Sequence, residues 1–165
     1  MNVSSCMRTK LLLTDPARRY KELLCMIARQ EQRQIYVVDK EYHLLGIITS
    51  FDLIKEIVPS YMTADLARSL TDSADFIQKQ VEKVRDICAR DLMVTDYISL
   101  HLHSQLLEAD ALVAQEGCHA FPVVDEHGRL LGELTRLDVL IRFADYCLKP
   151  DLIVPELFDL STVKL

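Results

Sequence analysis

Apolar and polar positions along this chain predict the same order of elements twice. In each copy an amphipathic stretch with helical spacing precedes two short apolar runs separated by a polar turn, and a second amphipathic stretch follows. The first copy predicts a helix over 18–29, strands over 35–39 and 44–49, and a helix over 52–58; the second predicts a strand over 97–100, a helix over 105–115, strands over 120–125 and 129–135, and a helix over 138–144. Each unit is therefore predicted to fold as β-α-β-β-α.

The two copies align without a gap at an offset of 86 residues. Residues 35–54 and 121–140 are identical at eight of 20 positions. Two copies indicate a duplicated supersecondary unit, since a solenoid needs about three or more. Two units related by a pseudo-twofold usually enclose a cleft, so the repeat predicts a binding site at their junction.

The sequence divides into four parts in this interpretation. We predict an α/β (α+β) fold with repeats over 1–58 and 86–145, a helical linker over 59–85 and a tail over 146–165. Two amphipathic helices, over 63–70 and 73–84, are predicted in the linker. They either connect the repeats and pack on their own module, which we favour, or form a docking face. The tail either packs back or binds a neighbouring chain.

Two residues are predicted to bound the helix over 105–115. Ser104 is its expected N-cap, because a serine hydroxyl can accept from a free backbone N–H of the first turn. Gly117 is its expected C-cap, because glycine adopts the left-handed backbone conformation easily.

Composition excludes several classes of function. The net charge of −6 argues against a nucleic-acid-binding surface, which needs a dense positive stripe. Nothing approaches the 18 or so apolar residues of a membrane span, and the first ten residues have no apolar signal core, so we expect a cytoplasmic protein without membrane insertion. The five cysteines form no C-x-x-C pair and are expected to be reduced and buried. Neither common phosphate-binding glycine motif is present.

The ordered pattern M93…FPVVDEHGRLLGELTRLDVL, and less perfectly M7…IYVVDKEYHLLGIITSFDLI, resembles the CBS (cystathionine β-synthase) domain. Two copies in tandem resemble the paired regulatory unit called a Bateman module. The resemblance implies a ligand-sensing module and not an enzyme. It implies adenosine ligands, such as AMP, ADP, ATP or S-adenosylmethionine, held in the clefts between repeats. It also implies a homodimer and an effector that reads the bound state.

The segment G-h-h-T-x-x-D, where h is apolar, supplies the candidate ligand-binding residues. Gly46 allows close approach of backbone, Thr49 can donate its hydroxyl to a phosphate, and the Asp52 carboxylate can accept from both ribose hydroxyls. Thr135 and Asp138 are their counterparts in the second copy. The alternative is that each aspartate only caps its helix, and the two roles are compatible.

The two candidate sites differ next to the glycine. The resemblance implies that this position flanks the adenine ring; it is Ile47 in the first copy and Glu133 in the second. A carboxylate there must be desolvated, or must accept from the adenine amino group. We therefore favour the Thr49/Asp52 site, although Arg136 can meet a phosphate in the other. The resemblance further implies adenine-pocket positions before each central strand, at Gln32, Arg33, Cys118 and His119.

Three alternatives remain open. The chain is a structural homodimerisation module with degenerate nucleotide sites, a regulatory fragment of a larger transporter or enzyme, or a small enzyme that uses His101, His103 or a cysteine. Tyr36 in place of proline and Glu133 after Gly132 favour degeneration, whereas both retained Thr-x-x-Asp pairs argue against it. His101 and His103 are a weak metal pair without a third ligand of suitable spacing, so no metal is expected.

Overall fold

The computed structural model describes residues 2–30 and 32–147. A short 3-10 helix, Val3–Ser5, comes first. The first half then contains β1 (Leu13–Thr14), α1 (Tyr20–Ala28), β2 (Gln34–Val38), β3 (Leu44–Thr49) and α2 (Ser50–Ile57); α3 (Ala64–Arg68) and α4 (Ser73–Lys83) follow; the second half contains α5 (Ala89–Leu92), β4 (Leu100–His101), α6 (Leu106–Glu116), β5 (Ala120–Val124), β6 (Leu130–Thr135) and α7 (Arg136–Cys147). The predicted α/β duplication is confirmed.

Each half forms a three-stranded sheet with the same topology. The first strand runs parallel to the central strand, which pairs antiparallel with the third, in the orders β1-β2-β3 and β4-β5-β6. Both hairpins shift register at the same place, between Val37 and Val38 and between Val123 and Val124. Their turns place Tyr42 and Gly128, which are 86 positions apart, in the left-handed backbone region. Glycine adopts that conformation without the steric cost that tyrosine meets.

The opening segment of each repeat, residues 3–12 and 89–99, contacts the other repeat. Val3 belongs to the core of the second sheet, and Ala89 belongs to the core of the first. Arg8 pairs with Glu133 through two backbone hydrogen bonds of 2.8 and 2.9 Å, and Val94 pairs with Ile47 through two of 2.8 and 3.0 Å. This reciprocity is the contact pattern that a pseudo-twofold produces.

A third core cluster lies between the two sheets. Its buried members are Tyr36, Val38, Leu44, Ile47 and Val124, with Leu11, Tyr97 and Leu130 packed against them. The Tyr97 hydroxyl donates to the carbonyl of Leu44 across the junction at 2.9 Å. The repeats therefore share an apolar cluster in addition to the core of each sheet.

Gly46 and Gly132, which are equivalent positions of the two repeats, leave room for the opening segment of the other repeat. A Cβ on Gly46 would lie 2.8 Å from Cβ and Cγ of Met93, and one on Gly132 would lie 2.6 Å from the carbonyl oxygen of Arg8. The side chain of Met93 thus occupies the space beside Gly46, and this glycine does not line a cleft.

Several local predictions need correction. Gln105, without a side-chain hydrogen bond, is the N-cap of α6, because the hydroxyl of Ser104 instead accepts from the N–H of His101. The strand predicted over 97–100 is only Leu100–His101, since just two residues pair with β5. The closing helices begin two residues earlier than predicted, which places Asp52 and Asp138 inside the first turn. Gly117 is the left-handed C-cap of α6, as predicted.

The five cysteines are free, but none is buried, contrary to the prediction. Their positions at helix ends and on outer helix faces keep them partly or fully exposed.

In the linker, α4 packs against α2, and the adjoining Val84 enters the core of the first sheet, whereas Ile77 is exposed. Most of the predicted tail lies outside the described residues. No helix within the described ranges has the length and apolar character needed to cross a membrane.

Candidate functional site: two unequal clefts

The Thr-x-x-Asp pairs form two nearly identical capping boxes. The N–H and hydroxyl of Thr49 donate to Oδ2 of Asp52 at 2.8 and 2.7 Å, and the N–H of Asp52 donates back to Thr49 Oγ1 at 3.3 Å. The corresponding distances for Thr135 and Asp138 are 2.9, 2.6 and 3.2 Å. The capping role is therefore present in both copies. Each threonine hydroxyl already donates its proton to Oδ2 of its aspartate, so Oδ1 is the carboxylate oxygen left to accept from a ligand.

The first cavity, which we call the Asp52 cleft, has a volume of about 600 Å³. Both repeats contribute to its walls, because α2 and the end of β3 face the chain before β4 and the start of β5. Its apolar lining is Ile47, Phe51, Val94, Tyr97, Ile98 and Phe121; its polar lining includes Arg33, Gln34, Thr49, Ser50, Asp52, Asp96, Glu116 and His119. The lining thus combines a group of apolar side chains with polar ones, among them an aspartate in the first turn of α2.

The second cavity, which we call the Glu133 cleft, also measures about 600 Å³ and is more polar. It is lined by Arg8, Gln32, Arg33, Gln34, His119, Ala120, Glu133, Thr135, Arg136, Leu137 and Leu140. Asp138 stands beside it with only 10% of its side chain exposed, and its Oδ1 accepts from Nε of Arg8 at 2.8 Å. Both oxygens of Asp138 are therefore engaged, one by Thr135 and one by Arg8.

A buried hydrogen-bonded chain occupies the inner end of the Glu133 cleft. The Tyr36 hydroxyl donates to Oε2 of Glu133 at 2.7 Å, and the side-chain amide of Gln34 donates to the Tyr36 hydroxyl. Glu133 is only 6% exposed, and this burial raises the pKa of its carboxyl. Burial, followed by the charge of Glu133, also raises the pKa of Tyr36.

This chain joins the two departures from the family pattern noted in the sequence. Tyr36 stands where the second repeat has Pro122, and Glu133 stands where the first repeat has Ile47. Only a donor that reaches across the junction can satisfy the buried carboxylate, and the tyrosine hydroxyl supplies it. The two departures therefore compensate each other structurally.

The structure brings most of the predicted site residues together, but divides them between two cavities. Ile47, Thr49, Asp52 and Cys118 line the Asp52 cleft; Gln32, Thr135 and Arg136 line the Glu133 cleft; Arg33 and His119 line both. Asp138 lies next to the second cleft, and Gly46 faces Met93.

Sequence reasoning missed several wall residues. Arg8 and Val94 belong to the walls because the opening segment of each repeat crosses to the other one. The signal that could have located these residues is the pair Met7 and Met93, which are 86 positions apart. Arg8 and Val94 follow them directly and are therefore equivalent positions of the two repeats. Tyr97 follows in the same segment.

A group of potential metal ligands lies outside the lining of both clefts. Among the described residues, one group of three potential metal ligands lies close together, formed by Asp39, Glu41 and His43. Asp39 accepts from the backbone of both other residues, at 2.9 and 2.8 Å, as its counterpart Asp125 does in the second hairpin. The shared arrangement indicates a turn-stabilising role.

Solved structures with the same fold include three whose ligands are known. CBSX2 in complex with AMP matches with a TM-score of 0.68 and 22% identity, over 88% of this chain and 97% of that chain. The cytosolic domain of the Mg²⁺ channel MgtE in complex with ATP matches with 0.63 and 23%, over 86% and 48%. The CBS domain pair of MJ0100, in complex with 5′-methylthioadenosine and S-adenosyl-L-methionine, matches with 0.64 and 16%, over 88% and 98%.

Sequence comparison identifies the family. Chloroplastic CBSX2 of Arabidopsis thaliana is 23% identical over 145 residues, which cover 81% of this chain and 58% of that protein. The chain spans about half the length of the curated relatives it matches, including 61% and 44% of two uncharacterised archaeal proteins. The CBS domain model matches twice, at residues 3–59 and 89–145. The chain therefore belongs to the CBS domain family and carries a tandem pair of these domains.

Proposed function

We propose that this chain is a non-catalytic regulatory module that binds an adenosine compound in the Asp52 cleft. The observation that carries the proposal is the state of the two aspartates. Oδ1 of Asp138 is held by Arg8, whereas within the described part of the chain no partner holds Oδ1 of Asp52. An aspartate oxygen at a helix N-terminus, beside an apolar cavity, suits the hydroxyl pair of a ribose.

The apolar walls suit the ring of the ligand. Ile47 and Val94 come from opposite repeats and are joined by backbone hydrogen bonds. Tyr97 is held over the same cavity by its bond to the Leu44 carbonyl. A purine placed among these side chains buries apolar surface, and Asp52 then fixes its orientation.

Binding in this position offers a route to regulation. The cleft is built from both repeats, so a ligand that fills it favours one relative arrangement of the two. The ligands of CBSX2, MgtE and MJ0100 are all adenosine compounds, which supports that class for this chain. An effector, either covalently attached to this module or on a separate protein, responds to the change in the arrangement of the repeats.

We also propose a homodimer through the outer faces of α2 and α7. Leu53 and Val139 point into the two cores, whereas the opposite faces of the same helices expose large apolar side chains. These are Phe51, Ile54, Leu137, Leu140, Ile141 and Phe143, of which Phe51 is 65% exposed and Leu140 60%. Large apolar side chains exposed along a helix face are typical of an interface between subunits. Light scattering at tens of micromolar tests it, and a monomer contradicts it.

A second candidate function is a dimerisation module whose nucleotide sites have degenerated. The buried Tyr36–Glu133 pair favours it for one cleft, because a hydrogen-bonded carboxyl group stands there in place of the apolar side chain that would contact a ring. It does not extend to the Asp52 cleft, which keeps its apolar lining. Ligand binding therefore separates the two functions.

The deciding experiment is a thermal-shift panel followed by calorimetry. Adenosine, AMP, ADP, ATP and S-adenosylmethionine are compared with guanosine nucleotides of equal charge. We expect stabilisation by adenosine compounds that rises with concentration, as binding to the folded state alone requires. No stabilisation by any of them would leave the dimerisation module as the better function.

A further inference from the structure

The two clefts are adjoining cavities with a common wall. Arg33, Gln34, His119 and Ala120 line both of them. These residues begin the two central strands, β2 and β5, where the repeats meet. A group that leaves the Asp52 cleft over this wall therefore enters the Glu133 cleft.

The clefts have opposite charge. The Asp52 cleft has three carboxylates in its lining, Asp52, Asp96 and Glu116, against the single guanidinium of Arg33. In the Glu133 cleft, three arginines stand against one carboxylate. This basic lining occurs in a chain whose net charge is −6. An anionic group is electrostatically favoured in the Glu133 cleft and disfavoured in the Asp52 cleft.

Two of the three arginines have no carboxylate partner. Arg8 is paired with Asp138, but neither Arg33 nor Arg136 forms an ion pair with any described residue. Arg136 instead donates to Nδ1 of His119. Loss of solvent, followed by the charges of Arg136 and Arg33, lowers the pKa of His119. The neutral ring accepts from Arg136 and holds that guanidinium at the common wall.

The Glu133 cleft lacks what a nucleoside needs. The position that Ile47 occupies in the Asp52 cleft is taken by Glu133, which is buried and bonded to Tyr36. Both oxygens of Asp138 are already accepting hydrogen bonds. A purine ring and a ribose there would displace several satisfied polar groups, which is costly.

We propose that a single nucleoside polyphosphate spans both clefts, with the nucleoside in the Asp52 cleft and the terminal phosphates on Arg33 and Arg136 in the Glu133 cleft. This proposal rests on the proposed function, because it takes the nucleoside position from it. Each chain then binds one ligand and not two. Affinity rises with the number of phosphates, because each added phosphate reaches further onto the basic wall.

Calorimetry on the full chain tests this with adenosine, AMP, ADP and ATP in magnesium-free buffer. We expect one site per chain and an affinity for ATP at least about tenfold higher than for AMP. Arg136→Gln and Arg33→Gln should each lower the ratio of ATP to adenosine affinity by about tenfold, the scale of one charge-assisted hydrogen bond. Arg129→Gln is the matched control, since Arg129 lies exposed in the β5–β6 turn and lines neither cleft.

The outcomes separate this inference from the proposed function. Two ATP molecules per chain, or AMP that binds as tightly as ATP, overturns the spanning ligand but leaves adenosine recognition intact. An equal loss in Arg129→Gln and Arg136→Gln also overturns it, because the preference for phosphates is then only a matter of net charge. Absence of binding by all four compounds overturns the spanning ligand, and absence of binding by S-adenosylmethionine as well overturns the proposed function.

Discussion

The Asp52 cleft and the Glu133 cleft descend from one duplicated unit, have the same volume and carry the same Thr-x-x-Asp capping box. They differ in three side chains that cross the junction. Arg8 reaches Asp138, whereas its counterpart Val94 leaves Asp52 alone. Tyr36 reaches Glu133, whereas their counterparts Pro122 and Ile47 have no polar groups to exchange.

The comparison shows that the capping box is independent of the surroundings of the second aspartate oxygen. A Thr-x-x-Asp pair stabilises a helix N-terminus in either cleft, with or without a ligand. What distinguishes the clefts is the second aspartate oxygen and the residue after the glycine. A motif match alone therefore locates two candidate sites, and the contacts from the opposite repeat decide between them.

The largest expected effect concerns the glycines that admit the opening segments. Gly132→Ala places a Cβ 2.6 Å from the Arg8 carbonyl, and this carbonyl is fixed by its hydrogen bond from Glu133. We expect a loss of about 3 kcal/mol in the free energy of unfolding, and about 2 kcal/mol for Gly46→Ala, where side-chain atoms of Met93 can partly move. Urea denaturation measures both.

Gly117→Ala is the control for this pair. Gly117 has positive φ but nothing within 4 Å of a built Cβ, so it carries only the cost of the left-handed conformation, about 1 kcal/mol. If Gly132→Ala lost no more stability than Gly117→Ala, the close approach of the opening segment would not be a determinant of the fold.

The two aspartates should rank in opposite order for affinity and for stability. Asp52→Ala should cost about 1.5–3 kcal/mol of adenosine binding, because in the proposed complex its carboxylate accepts from ribose hydroxyls, and Asp138→Ala should cost less. For unfolding, Asp138→Ala should lose more, because it also breaks the pair with Arg8. Calorimetry and urea denaturation of the same two proteins measure the two rankings.

Asp91→Ala controls for the helix cap. Asp91 accepts from the N–H of Cys88 at 2.9 Å in a capping box of α5, and it lines neither cleft. It should lose stability on the order of 1 kcal/mol and leave affinity unchanged. Equal losses of affinity in the Asp52 and Asp138 variants would contradict the difference between the clefts.

The sequence predicted the repeats well because local patterns determine them. The paired strands, the turns and the closing helices each follow from apolar spacing and polar breaks within a few residues, as in Leu44–Thr49. The gapless offset then predicted the pseudo-twofold. Ser104 failed as a cap because its hydroxyl bonds backward to His101, a choice that spacing does not reveal.

The walls of the clefts were harder to predict, because they form between residues far apart in the chain. Arg8 and Asp138 are 130 positions apart, and Tyr36 and Glu133 are 97 apart. From the sequence alone, Arg8 is interpreted as a surface arginine and Asp138 as a capping aspartate. Tyr36 and Glu133 are only irregular positions in predicted strands. The crossing of the opening segment brings Arg8 to Asp138, and the packing of the two sheets brings Tyr36 to Glu133.

A smaller effect is expected from removing the donor to Glu133. Tyr36→Phe keeps the ring in the core cluster between the sheets but takes away the hydroxyl that donates at 2.7 Å. We expect a loss of about 1.5 kcal/mol in the free energy of unfolding, the lower end for a hydrogen bond to a charged group. Tyr97→Phe, which loses a bond to a backbone carbonyl, should cost less than this. The opposite order would mean that Glu133 is satisfied without Tyr36.

The smallest effect is a change in pH dependence at Glu133. Burial raises the pKa of this carboxyl in the folded chain, so its contribution to stability is fully present below the ordinary glutamate pKa and is lost as pH rises through the folded value. Glu133→Gln keeps an acceptor for Tyr36 but cannot ionise. Between pH 4 and pH 8 we therefore expect the melting temperature of the variant, relative to the unmodified chain, to rise once the pH exceeds the ordinary glutamate pKa and to level off above the folded value. Scanning calorimetry across this range measures the difference, and Glu126→Gln in the exposed β5–β6 turn supplies the background slope. A difference that stays constant with pH, or falls, would mean that Glu133 is charged in the folded chain without cost. The polar character of the second cleft would then no longer argue against a nucleoside there.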